Sequence, residues 1–239
     1  MLNIRHIAAL CAVLAIAPAA SADERGDAPR VPLAQLRDFS GIEAGGPDTV
    51  LVTRGADYAV RVEGDPKAIE RLDIYVERNV LHVERKKRRG MDWSQRDKGA
   101  TVRITLPALH HVALAGSGDM TVDWMGGEAV EAVLSGSGNL SVARIDARRA
   151  TLSLAGSGNL SAGGTAGNAE VSLAGSGDVL AERMASDTAT VSVAGSGNAT
   201  IRATGKASVS IIGSGNATVK GTHDCQVSRI GSGNARCVA

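Results

Sequence analysis

The residues of this chain that could do chemistry are few and widely spaced. Seven Gly-Ser-Gly triplets, beginning at Gly116, Gly136, Gly156, Gly175, Gly195, Gly213 and Gly231, are each followed by Asn or Asp. Calcium binding in a β-roll needs Gly-Gly-x-Gly-x-Asp, with the Asp two places after the last Gly. Here that place holds Met120, Leu140, Leu160, Val179, Ala199, Ala217 and Ala235, which offer a hard cation no oxygen. A phosphate cradle needs a helix to follow the glycines and aim its amides at the ligand, and no helical pattern follows any triplet. Glycan cleavage by paired carboxylates needs them about 5 to 9.5 Å apart. The acids of the repeated position, Asp119 and Asp178, stand three repeats apart, about 14 Å at β spacing, and Asp123 and Glu128 fall between triplets. Adjacent His110 and His111 would point to opposite faces of a strand, and His82 and His223 stand alone. No catalytic residue, cofactor or metal site is expected.

The elements that carry these residues are set by the spacing. Successive triplets lie 20, 20, 19, 20, 18 and 18 residues apart, the period of a solenoid in which each repeat is one coil. The positions four and two before, and four and six after, the first Gly hold 28 residues, of which 27 are apolar or Cys. The exception is Arg229 in the last repeat. All four positions share one parity with both glycines, so a strand with one buried face is predicted to run through each triplet, the glycines facing inward where the coil bends. A set of isolated hairpins would explain the glycines but not the constant period. The charges between triplets, among them Arg144, Asp146, Arg148, Glu182 and Arg183, read as looser returns.

The opposite parity faces water. It presents Ser117, Ser137, Ser157, Ser176, Ser196 and Ser214, with Asp119, Asn139, Asn159, Asp178, Asn198 and Asn216 beside them. Stacked at about 4.8 Å per coil, these form ladders of small polar groups on a flat face, the first candidate binding surface. The second is the polar connector from Arg85 to Gly99, where Lys86, Lys87, Arg88 and Arg89 form a basic run with Trp93 nearby. Such a run is most often a solvated loop, although a cationic segment beside an exposed aromatic also suits acidic glycans or anionic headgroups.

Residues 1–22 read as a secretory signal peptide: Arg5 and His6, an apolar run from Ile7 to Ile16, then Ala20-Ser21-Ala22. The run is too short to span a bilayer. Residues 23–38 read as a linker. Cys11 leaves with the signal, and Cys225 and Cys237 then form an isolated pair that suits one disulfide in an oxidising compartment. Both fall at inward positions of the last coil, where a cross-link and Arg229 would cap the stack. The net charge of +1 gives no bias toward nucleic acid.

Residues 39–110 read as β without triplets and are expected to stack on the repeats of 111–239 as part of one unit. In this region Phe39-Ser40-Gly41-Ile42, Val60-Arg61-Val62-Glu63-Gly64-Asp65, Leu81-His82-Val83, and Ile104-Thr105-Leu106-Pro107 leading to Leu114-Ala115-Gly116-Ser117-Gly118-Asp119 occur in one order. In these segments the chain resembles the head GIN domain family, described as adhesins of autotransporter type. The resemblance implies an exported β-helix-like domain and carries over no catalytic residue. No membrane β-barrel pattern follows the repeats, so a complete autotransporter is not expected.

The expectation is therefore an all-β, β-helix-like solenoid of seven coils of about 18–20 residues with an N-terminal β section stacked on it. Its expected role is that of an exported, non-catalytic adhesin-like or scaffold protein of the periplasm or cell surface. It would meet an envelope, glycan or protein partner, or another copy of itself, through the polar ladder. The alternatives are a carbohydrate-active β-helix enzyme with its site around the connector from Arg85 to Gly99, and a purely structural envelope component.

Overall fold

A computed structural model describes residues 32–86 and 99–239. The signal segment, and Lys87, Arg88, Arg89 and Trp93 of the basic connector, lie outside the described residues. The strands are β1 (Gly41–Gly46), β2 (Thr49–Arg54), β3 (Ala59–Gly64), β4 (Leu72–Glu77), β5 (Val80–Arg85), β6 (Ala100–Leu106), β7 (His111–Gly116), β8 (Asp119–Val122) and β9 (Met125–Gly136). They continue as β10 (Asn139–Gly156), β11 (Asn159–Gly175), β12 (Asp178–Gly195), β13 (Asn198–Ala203), β14 (Ala207–Gly213), β15 (Asn216–Lys220), β16 (Cys225–Ile230) and β17 (Asn234–Val238). A short helix, α1 (Pro66–Glu70), separates β3 from β4. The architecture is a β-solenoid of about six turns.

The repeat registers on itself. Across the parallel strands Asn139 faces Asn159, Leu154 faces Leu173 and Gly156 faces Gly175, and the same columns continue through Val193 and Gly195. The inward residues predicted from parity form the core: Leu152, Leu154, Leu160, Val171, Leu173 and Val179 are all at most 2 % exposed. Parallel pairing of consecutive repeats rules out the hairpin arrangement, in which neighbours would run antiparallel.

The segments between triplets are strands, not loose returns. β10, β11 and β12 each run unbroken from an Asn or Asp to the next triplet. Alternation breaks twice in β10, at Ala143-Arg144 and Arg148-Arg149, where two neighbours both face water. The ladder shifts register at the first of these breaks, between Val142 and Ile145, and such a bulge redirects a strand without ending its pairing. The coil thus gains a third side, which buries Met125, Ile145 and Met184.

Two further rungs lie in the first half, without triplets. β1 and β2 pair in register with β7 and β8, setting Gly46 opposite Gly116 and Thr49 opposite Asp119. On the other side of β1 and β2 lie β5 and β6, also parallel. The spatial order is therefore β5–β1–β7, although β1 comes first in the chain. β3 and β4 pair antiparallel with β6 and β5 and, with Leu36 and Phe39 buried beneath, close this end of the stack. Asp65 caps α1 by accepting the Lys67 amide at 2.9 Å, and Pro66 sits in its first turn, where no amide is needed.

Candidate functional site

The polar ladder starts at the triplets, where glycine is dictated by the neighbouring rung. The Gly136 carbonyl accepts the amides of Ser157 and Gly158 at 2.9 and 3.1 Å. Gly156 has φ +135°, and a Cβ on Gly158 would lie 2.1 Å from the Gly138 carbonyl oxygen and 3.1 Å from Leu134 Cδ2. Two backbones meet here with no room for a side chain between them. The central Ser, with nothing behind it, points into water in every triplet.

Beside it the Asn and Asp side chains hydrogen-bond up the stack. Asn139 Nδ2 donates to Asp119 Oδ1 at 2.8 Å and Asn159 Nδ2 to Asn139 Oδ1 at 3.0 Å. A second run starts at Asp178, with Asn198 donating to it at 2.8 Å and Asn216 to Asn198 at 2.9 Å. Each run begins with Asp because a carboxylate accepts but cannot donate. For the same reason Asp178 cannot continue the run from Asn159, and the ladder breaks there. The bonds fix the amides along the stack.

Of the twelve candidate residues all are exposed except Asp178, which is half-buried. The expectation of a flat face needs correction. The strand ends at the first Gly and the chain bends at the central Ser, so the Ser column is a ridge between two sides of the solenoid. The Asn/Asp column runs along one flank of that ridge, and Ser153, Ser172, Ser192 and Ser210 lie on the other side, in register with one another. Asp119 and Asp178 stand three rungs apart through Asn139 and Asn159, a spacing that does not supply paired-carboxylate chemistry.

The basic connector enters and leaves the stack where a triplet would sit, between β5 and β6. Asp48 occupies the place of the second triplet Gly, since Thr49 aligns with Asp119. Its carboxylate, only 4 % exposed, accepts Arg85 Nε and Nη2 at 2.7 and 2.6 Å and the Ala100 amide at 2.8 Å. The hydrogen bond to Asp48 holds the Arg85 guanidinium above its usual pKa, with desolvation acting the other way. Lys86, the one described member of the basic run, donates from Nζ to the Glu70 carbonyl at 2.6 Å.

Sequence reasoning missed a column of titratable side chains on the outer face near this end. His82 stacks on Tyr75 with ring centroids 4.9 Å apart. Glu43 lies 3.5 Å from both His82 Nδ1 and His111 Nε2, and Glu131 lies 3.2 Å from His111 Nδ1. His82 and His111 meet through Glu43 only because β1 is placed between β5 and β7. No group of three or more His, Cys, Asp or Glu among the described residues could hold a metal ion. Trp124, the aromatic at the second corner, has Arg54 at 3.9 Å from its ring centroid and Gly126 against its edge. Cys225 and Cys237 are joined by a disulfide.

Residues 38–222 match the family model described as "Putative auto-transporter adhesin, head GIN domain". Among solved structures, a "putative adhesin" from Bacteroides fragilis is 21% identical, with a TM-score of 0.73, covering 84% of this chain and 93% of its own. A "Putative lipid binding protein" from Parabacteroides distasonis is 24% identical, TM-score 0.66, covering 86% and 94%. A "putative adhesin" from Parabacteroides merdae is 20% identical, TM-score 0.59, covering 85% and 93%. At these identities the likeness shows the fold. No match was found among curated protein sequences. No helix among the described residues is long and apolar enough to cross a membrane.

Proposed function

Because the chain belongs to the "Putative auto-transporter adhesin, head GIN domain" family, we propose that it is an exported, non-catalytic binding protein of the cell envelope. Its contact surface in this reading is the Ser ridge with the Asn/Asp column on its flank. The observation that carries the reading is the order of that column: each Asn amide is held by the Asp or Asn of the preceding rung, from Asn139–Asp119 to Asn159–Asn139 and from Asn198–Asp178 to Asn216–Asn198. Side chains already fixed lose little conformational freedom when a partner docks, which is the main cost of binding through small polar groups. The disulfide and the signal-like first 22 residues support export to an oxidising compartment. The lipid-binding description of one structural neighbour adds lipid to the glycan and protein partners worth testing.

The test is a pair of surface variants. Ser157, Asn159, Ser176 and Asn198 changed together to Lys place four like charges on neighbouring rungs, at a folding cost of about 1 kcal/mol. Binding to cells or isolated envelope fractions is expected to be lost while the circular dichroism and melting curve stay near those of the parent. Changing Lys86, Lys87, Arg88 and Arg89 to Ser probes the competing surface. Loss in the second variant alone moves the site to the connector. Unchanged binding in both refutes an adhesive role for either surface.

A further inference from the structure

A second surface lies away from the Ser ridge, at the corner where the Asn-bearing side meets the return side near the C-terminal end of the stack. A cleft of about 440 Å³ there is lined by Glu182, Arg183, Arg202, Lys220, Gly221 and Ala239. Arg202 and Lys220 face each other in register on β13 and β15. Arg183 belongs to the preceding rung, in the segment where the β12–β13 ladder shifts between Ala181 and Ala185, and that shift leaves Glu182 and Arg183 as neighbours both facing water. Three cations therefore follow one another over three successive rungs, about 4.8 Å each.

These charges are not equivalent. Lys220 Nζ donates to Glu182 Oε2 at 2.5 Å, reaching across the rung of Arg202. That hydrogen bond holds the Glu182 carboxyl below its ordinary range, so at neutral pH the Lys220 charge is offset. Arg183 and Arg202 have no carboxylate within ion-pair distance among the described residues. The cleft keeps an excess of positive charge against Glu182. Gly221 lines it without adding a side chain.

We propose that this cleft is a binding site for an acidic polysaccharide, specifically a carboxylated chain of uronic acid units lying along the stack. Two features select a linear polyanion over a small anion. The cations are strung along the solenoid instead of converging on one point, and each is open enough that no single contact would be strong in water. Affinity has to come from several carboxylates engaging successive rungs at once, and the planar guanidinium forks of Arg183 and Arg202 each suit a carboxylate. The site is independent of the Ser ridge, so either can fail without the other.

The probe is a short polygalacturonate, titrated calorimetrically into the purified chain at low ionic strength, with neutral dextran as control. Wild-type protein is expected to bind the uronate and not dextran, and to lose it near about 1 M salt, where the Debye length is ~3 Å. Arg183→Gln with Arg202→Gln is expected to weaken binding about tenfold or more, one decade being about 1.4 kcal/mol. Glu182→Gln, which removes the opposing charge and frees Lys220, is expected to strengthen it several-fold. The connector variant leaves the cleft intact and should bind polygalacturonate like wild type, and a neutral ridge variant with Ser157, Asn159, Ser176 and Asn198 changed to Ala, which adds no charge, should do the same. The proposal is overturned if the uronate does not bind at low salt, or if dextran binds equally. It is also overturned if the double Arg variant is unaffected, if millimolar inorganic phosphate displaces the polymer, or if anionic phospholipid vesicles are preferred over it.

Discussion

Asp48 offers the sharpest test of how the N-terminal rungs join the repeats. In every triplet the second Gly faces the backbone of the preceding rung, and a Cβ at Gly118 would itself sit 2.2 Å from the Asp48 carbonyl oxygen. Asp48 can carry a side chain at the equivalent place because the rung on its other side opens there, the chain leaving β5 at Arg85 and returning at Ala100. The carboxylate fills that opening and bonds to both ends of it. Asp48→Ala leaves the buried Ala100 amide without its acceptor, at about 1–3 kcal/mol. It also removes the two hydrogen bonds that Arg85 makes to the carboxylate, and hydrogen bonds to charged groups are worth about 1.5–3 kcal/mol each. The Arg85 side chain is 21% exposed, so water recovers part of the second loss, and the net is about 3–5 kcal/mol. For a domain of this size that lowers Tm by about 10 °C, at ~2–4 °C per kcal/mol. Asp48→Asn, which keeps an acceptor, should cost less than half as much. The assay is thermal melting followed by circular dichroism, with a double-mutant cycle against Arg85→Ala expected to show about 1 kcal/mol or more of coupling. An Asp48→Ala Tm within about 2 °C of the parent refutes the role given to the carboxylate.

Two other perturbations test the stack itself. Gly158→Ala puts a Cβ 2.1 Å from the Gly138 carbonyl oxygen, a clash with backbone that no rotamer relieves, so a loss above about 2 kcal/mol is expected, while Ser157→Ala beside it should be within about 0.5 kcal/mol of neutral; equal melting of the two variants refutes the close stacking of the corners. Reducing the Cys225–Cys237 disulfide should lower stability by about 2–3 kcal/mol on chain-entropy grounds, with faster hydrogen exchange confined to β16 and β17; free thiols in protein recovered from an oxidising compartment would contradict the pairing.

What could be read from the sequence was what the repeat states many times over. The parity of Leu152, Leu154, Leu160 and their equivalents placed them inside, and the constant period placed them in register. The return segments were misread because Arg144, Asp146 and Arg148 suggest loops. Yet Ile145 and Ala147 alternate with those charges, and that alternation is the mark of a third side with water on its outer face. The first half hid its rungs more deeply. Only Gly46 survives of a triplet there, Pro47 and Asp48 replacing Ser and Gly, and the next rung out is interrupted by the basic connector. Nothing local announces that β5 and β6 lie on the far side of β1 and β2, because strand order is decided by which apolar edge each later strand can cover. The Glu43, His82 and His111 contacts depend on that order and were invisible for the same reason.

The two ends of the stack are finished by different physics. At the N-terminal end, antiparallel strands and the side chains of Leu36 and Phe39 cover the last layer. At the other end Val227, at an inward position, is 47% exposed among the described residues. The missing burial is compensated in part by covalent closure, since Cys225 on β16 and Cys237 on β17 tie the two sides of the final rung together. Arg229 stands in the column of Leu154, Leu173, Val193 and Ile211. A further rung laid over it would have to bury that guanidinium without a partner, a cost of several kcal/mol against the gain of a few apolar contacts. The family match ends at Thr222, before this rung begins. Arg229 therefore disfavours stacking of another apolar layer on this rung, while the cross-link holds β16 and β17 together.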